Sequence, residues 1–283
     1  MYVSRPGARI HYQVTGTGGG DLVLCPPCQP VFYSRMWKYQ VPYLSRYFRV
    51  VTMDPRGNGR SDRARTGYDF ETRYGDLLAV LEQAARPPFA LVAFSCASML
   101  AARYAVDHPG HLSRLVLVGA QYAQSLPRPF EEKVARIIRA DFAGWRERLM
   151  RSSFREPHSL KGIEDAVAWA GESEPEVFVE ALGQIEKDDV RDLLPRLGVP
   201  TLILHGSEDR IVPYSHGVKF AEAAGARLVT FADGGHALPA REPAQVNRLV
   251  RDFVLGRDVP SHTVPARPER KAPPRRPPRS ARR

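Results

Sequence analysis

Four short, almost unbroken aliphatic runs constrain this chain more than any other feature. They are F-A-L-V at 89–92, L-V-L-V-G at 115–119, T-L-I-L-H at 201–205 and R-L-V-T-F at 227–231. A half-exposed strand alternates apolar and polar residues, whereas a strand apolar on both faces must be covered on both. Stretches at helical spacing separate these runs: 75–85 with Leu77, Leu78, Leu81 and Ala85, 99–106 closed by Asp107-His108-Pro109-Gly110, 218–224 and 243–253. Upstream, strands are expected at 10–14, 22–24 and 49–53, with the turn signal T-G-T-G-G-G after the first and a helix over 37–46. Buried strands alternating with helices specify an α/β fold, a mostly parallel central sheet with helices on both faces.

The alternation stops between 121 and 189, where the composition is helical, charged faces dominate and no strand pattern occurs. A stretch of that length is too long for an idle loop, so an inserted helical cap is expected there. The core then comprises 1–120 and 190–256. From 257 to 283 Pro, Arg, Ser and Ala dominate, which predicts a disordered basic tail.

That tail also explains the net charge of +10, since nine Arg or Lys stand there against Asp258 and Glu269. The rest of the surface is unexceptional, and no aromatic residue interleaves the tail's arginines, so no nucleic-acid partner is expected. No apolar run approaches the ~18 residues of a membrane span, and M-Y-V-S-R-P-G lacks the apolar core of an export signal. Three cysteines make no disulfide framework, so a reducing, cytoplasmic setting is expected. C-P-P-C at 25–28 lacks the second pair of a zinc site, and His11, His108, His158, His216 and His262 have no partner at ligand spacing. Neither metal nor cofactor is expected, and the cysteines read as buried small hydrophobes.

In an open α/β sheet, reactive groups gather at the carboxyl ends of strands. Ser95 lies there in A-F-S-C-A, after the strand at 89–92. Asp209 lies in H-G-S-E-D-R-I-V-P beyond the strand at 201–205, and His236 in G-G-H beyond the strand at 227–231. Asp54, Arg56 and Ser61 in D-P-R-G-N-G-R-S-D (54–62) are read as structural, and His205 as a packed core histidine.

These four motifs, in this order, resemble the α/β-hydrolase fold superfamily over residues 8–256, in its serine-nucleophile form. The stretch from 34 to 62 is similar to actinobacterial members that are sometimes linked to nucleotide cyclases. The resemblance implies a catalytic triad of Ser95 as nucleophile, His236 as general base and Asp209 as its orienting acid. The activity it implies is hydrolysis of an ester, thioester or related acyl substrate through an acyl-enzyme. It also implies an oxyanion hole made by the backbone N–H of Cys96 and a second N–H from the loop at 25–30, where Cys28 and Gln29 can each supply one and Gln29 is favoured.

Two departures stand out. Alanines, Ala93 and Ala97, flank Ser95 where the family's turn carries glycines. The loop C-P-P-C-Q-P (25–30) replaces the usual His-Gly, and its prolines have no N–H to donate. A catalytically weak ligand-binding or signalling homologue, or acyl transfer and cyclisation in a biosynthetic pathway, are the alternatives. Seven arginines of the insertion (Arg128, Arg136, Arg139, Arg146, Arg148, Arg151, Arg155) fit an anionic substrate or simply a solvated face. Neither the small-molecule substrate's identity nor the oligomeric state is legible in the sequence.

Overall fold

A computed structural model describes residues 1–29, 32–124, 127–154, 160–184 and 188–266. Nine strands form one sheet in the order β1-β2-β4-β3-β5-β6-β7-β8-β9. The four aliphatic runs become β5 (Phe89–Phe94), β6 (Leu112–Val118), β7 (Thr201–Gly206) and β8 (Arg227–Phe231), all parallel to their neighbours. β3 (Asp21–Cys25) sits between β4 (Arg49–Met53) and β5, also parallel to both. Every residue of β3, β5 and β7 is buried, as their uninterrupted apolar character requires.

The sheet divides the core into two layers. Leu77, Val80 and Leu81 of α2 (Phe70–Ala84) and Leu100 and Ala101 of α3 (Ala97–Asp107) join one face, with Leu91, Leu117 and Ile203. Trp37, Leu44, Val246, Val250 and Phe253 cover the other, against Val92, Val116 and Leu204. The last three of that covering set belong to α10 (Pro243–Val254).

Several elements differ from expectation. The helix expected over 37–46 is a 3-10 turn at Ser34–Trp37 followed by the single-turn α1 (Val41–Leu44), because Pro42 fits only a first turn. The helix expected from 75 begins five residues earlier, where the Asp69 carboxylate accepts the Thr72 N–H at 2.9 Å. β1 (Tyr2–Arg5) pairs antiparallel with β2 (Ala8–Thr15), an N-terminal hairpin that the sequence reading missed.

The tail expected from 257 onward needs the largest correction. Val259 is buried and β9 (His262–Val264) adds to the sheet alongside β8. β8 would otherwise present an open row of N–H and C=O groups; the Leu228 N–H instead reaches Ser261 Oγ at 3.0 Å. The rest of the expected tail, 267–283, lies outside the described residues.

Between β6 and β7 the described residues form four α-helices: α4 (Arg128–Ala140), α5 (Phe142–Ser153), α6 (Leu160–Ala170) and α7 (Pro175–Gln184). They share a separate apolar cluster of Ile138, Met150, Ile163, Ala166, Phe178 and Leu182. The two ends of the insertion meet where Ala123 bridges Asp189, and the buried Arg73–Asp188 ion pair at 2.6 Å ties that neck to α2.

Arg56 and Ser61 act structurally, as read from sequence. Arg56 grips Asp76 of α2 with two hydrogen bonds of 2.7 and 2.8 Å, both side chains being buried. Removing the carboxylate strands a buried guanidinium, so Asp76→Ala is expected to cost about 3–5 kcal/mol. Breaking the exposed Arg139–Glu176 pair with Arg139→Ala should leave the urea midpoint almost unmoved. Paired denaturation curves check both.

Candidate active site

The carboxyl ends of β5, β6 and β7 lie in one row, with Phe94 opposite Val118 and Val118 opposite Leu204. One residue further along come Ser95, Gly119 and His205. The Ser95 N–H still reaches the Val118 carbonyl at 2.8 Å, and the Gly119 N–H the Leu204 carbonyl at 2.9 Å. The side chains past this row are therefore set by the sheet rather than by free loops.

Ser95 is buried and has φ of 57°. A left-handed non-glycine residue costs about 1–3 kcal/mol and persists only where its surroundings enforce it. Here the ladder bond on one side and α3 on the other enforce it: the Ser98 N–H closes onto the Ser95 carbonyl at 2.9 Å. Among the described residues only one other non-glycine, Asp233, has positive φ, so Ala93 and Ala97 need no glycine. Both alanines are fully buried, and their methyl groups belong to the core beneath the turn.

Asp209 and His236, separate in sequence, come together. His236 Nδ1 lies 2.7 Å from Asp209 Oδ2, with both side chains buried. The other oxygen, Oδ1, accepts the backbone N–H groups of Ile211 at 2.8 Å and Val212 at 2.9 Å. Burial by itself would raise the Asp209 carboxyl. The charge of His236 and hydrogen bonds from His205 and His236 outweigh it and hold the group well below the usual carboxylate range. An anionic Asp209 fixes the proton of His236 on Nδ1 and leaves Nε2 as the free base.

Gly119 makes room for that imidazole. A Cβ there would lie 3.1 Å from both Cε1 and Nδ1 of His236, and φ at Gly119 is +58°. The ring thus stands at the end of β6, the strand next to β5, which Ser95 follows. On its other side it leans on Phe94, with ring centroids 4.7 Å apart. Sequence reasoning passed over both Gly119 and Phe94; the signal was a glycine ending an otherwise aliphatic strand.

The backbone N–H groups of Cys96 and Gln29 donate to no described residue. Pro30 lies outside the described residues. Cys25, Cys28 and Cys96 are free and buried. Burial pushes the Cys96 thiol up to about 12, and the contact with Cys25 followed by burial raises Cys28 strongly. Such thiols are poor nucleophiles and poor metal ligands near neutral pH.

A cavity opens beside His236, lined by Phe32, Phe94, Phe154 and Trp169, with Met36 and Ala166. Its polar edge is the Lys38–Asp165 ion pair, which joins the sheet side to α6. A second bridge across the same seam runs from Tyr33 Oη to Glu172 at 2.7 Å. Among the described residues, none of the arginines weighed as anion binders lines this cavity. Arg128, Arg139, Arg148 and Arg151 are exposed and paired with Glu132, Glu176, Asp141 and Glu147. Arg136 faces solvent, Arg146 lies over Phe142, and Arg155 is outside the described residues.

Comparison with known proteins agrees with this architecture. The sequence model of the alpha/beta hydrolase fold matches residues 18–243. The chain is 28% identical over 236 residues to the AB hydrolase superfamily protein YisY of Bacillus subtilis, covering 77% of this chain and 86% of the relative. It is 28% identical over 260 residues to pyrrolizixenacetamide deacetylase of Xenorhabdus hominickii, covering 89% and 97%. Among solved structures it resembles a bromoperoxidase from Bacillus anthracis, with a TM-score of 0.78, 25% identity and coverage of 88% and 96%.

The lowered acidity of Asp209 has a consequence for stability. Because the folded-state value lies below the unfolded one of about 3.9, ionised Asp209 stabilises the fold above that pH, and the contribution is lost as pH falls below it. The stability gap between wild type and Asp209→Asn should be wide and level above about pH 5 and narrow below about pH 4. Urea melts at a series of pH values measure it.

Proposed function

The chain belongs to the α/β-hydrolase fold family, and on that footing we propose that it is a serine hydrolase cleaving esters, thioesters or related acyl compounds through an acyl-enzyme. The observation that carries the reading is the buried Asp209–His236 contact of 2.7 Å beside a serine strained to φ of 57°. Strain at a polar residue at the end of a strand, next to an oriented imidazole, has a purpose in nucleophilic catalysis and none in packing.

In this mechanism His236 Nε2 takes the Ser95 hydroxyl proton as Oγ attacks the acyl carbon. Asp209 stabilises the resulting imidazolium without taking its proton. The carbonyl oxygen becomes an oxyanion, received by the N–H groups of Cys96 and Gln29. Neither donates to any described residue, and Cys96 opens α3, where the helix end favours negative charge. His236 returns the proton to the leaving group. Water, activated by the same imidazole, then releases the acid.

We assign α4–α7 as a cap over this site, clamped through Lys38–Asp165 and Tyr33–Glu172. The aromatic lining beside His236 favours short, uncharged acyl groups, and the arginines outside it argue against an anionic substrate. One relative is named a deacetylase, which agrees with acyl chemistry. Three unpaired buried thiols fit a reducing, cytoplasmic setting. No described helix is long and apolar enough to cross a membrane.

p-Nitrophenyl acetate and butyrate should be turned over faster than an ester of equal length that carries a terminal carboxylate. Ser95→Ala should lower kcat by on the order of 10³-fold or more with the fold intact. Equal turnover by Ser95→Ala and wild type would refute the assignment.

A further inference from the structure

We infer that His205 is a positioning residue for the Ser95 chemistry, holding the Asp209 carboxylate from the side opposite His236; this rests on reading Ser95, His236 and Asp209 as a triad. His205 Nε2 lies 3.1 Å from the Val212 carbonyl and 3.4 Å from Asp209 Oδ2, the same oxygen that His236 approaches to 2.7 Å. Two acceptors face one ring nitrogen, so that nitrogen carries a proton.

The contact closes a loop. Val212 gives its N–H to Asp209 Oδ1 at 2.9 Å and takes the His205 N–H on its carbonyl. One peptide unit and one imidazole thereby grip the two carboxylate oxygens from different directions. Asp209 has no freedom left to rotate about its last torsion without losing a hydrogen bond in this buried site.

The surroundings are shaped for the ring. His205 is fully buried, and its Nδ1 has no partner. An unpaired buried nitrogen costs free energy that an aliphatic residue at the end of β7 would not incur. α8 (Tyr214–Ala224) has a glycine, Gly217, facing that nitrogen; a Cβ there would lie 2.4 Å from Nδ1. Tyr214 meets the ring edge-on with centroids 5.8 Å apart. A histidine that is costly to bury, with a helix face cleared for it, is accounted for by what its other nitrogen does at Asp209.

Chemically, the His205 donor shares the charge on Oδ2 and fixes its position. The direction of the Asp209–His236 bond, and with it the aim of His236 Nε2 at Ser95, follows from that. Displacing a general base by a fraction of an ångström lowers kcat while leaving ground-state binding unchanged.

The test compares His205→Met, which has similar reach and no donor, with His205→Gln, which restores an N–H at about the distance of Nε2. His205→Phe serves as a second donor-free variant should Met fail to fold. Two readouts are taken: kcat and KM on p-nitrophenyl acetate, and the low-field proton resonance of His236 Nδ1–H. The donor-free variants should lose on the order of ten-fold in kcat with KM unchanged, and their low-field resonance should move or broaden. His205→Gln should recover most of both. Equal behaviour of Met and Gln, or an unmoved resonance in the donor-free variants, would overturn the assignment. The resonance needs no substrate, so it decides the role of His205 even if the wild type proves inert towards esters, an outcome that would count against the hydrolase reading alone.

Discussion

One carboxylate oxygen, Asp209 Oδ2, organises the candidate site of this protein. It meets His236 at 2.7 Å and His205 at 3.4 Å in a place where all three residues are buried. A charge in that position is tolerable only while its hydrogen bonds last. The backbone turn after β7, the glycine at the end of β6 and the loop that delivers His236 are each required to supply or admit one of those contacts. The parallel sheet is what allows this, because adjacent strand ends set in register bring residues distant in sequence to one edge of the sheet.

Much of this was legible before any coordinates. The aliphatic runs specified both the strands and their burial on two faces, since nothing but a covered parallel sheet suits L-V-L-V or T-L-I-L. Ser95, Asp209 and His236 followed from strand-end position and chain order. The alanines beside Ser95, which looked like a defect, prove compatible with the turn because the left-handed conformation falls on the serine alone. Glycine would have offered conformational freedom that these two positions do not use.

What escaped the sequence was long-range or cooperative. β9 forms because β8 would otherwise leave an open edge, a need that does not register in the weakly apolar stretch His262–Val264. The arginines of α4 and α5 suggested an anion site by number, but direction decides such matters, and Arg128, Arg139, Arg148 and Arg151 turn to Glu132, Glu176, Asp141 and Glu147 instead. His205 was read as ordinary core. Its contact with Asp209 spans only four residues, yet it depends on a turn whose geometry no periodicity reveals.

The central claim is that Ser95 is an activated nucleophile. Intact-mass analysis after treatment with a fluorophosphonate tests it most directly, because the reagent needs only an activated serine and an oxyanion site, not the right substrate. A single adduct on the wild type, absent from Ser95→Ala and strongly slowed in His236→Ala, is the expected result. A folded wild-type protein that stays unlabelled, or labels equally well without Ser95, would contradict the account.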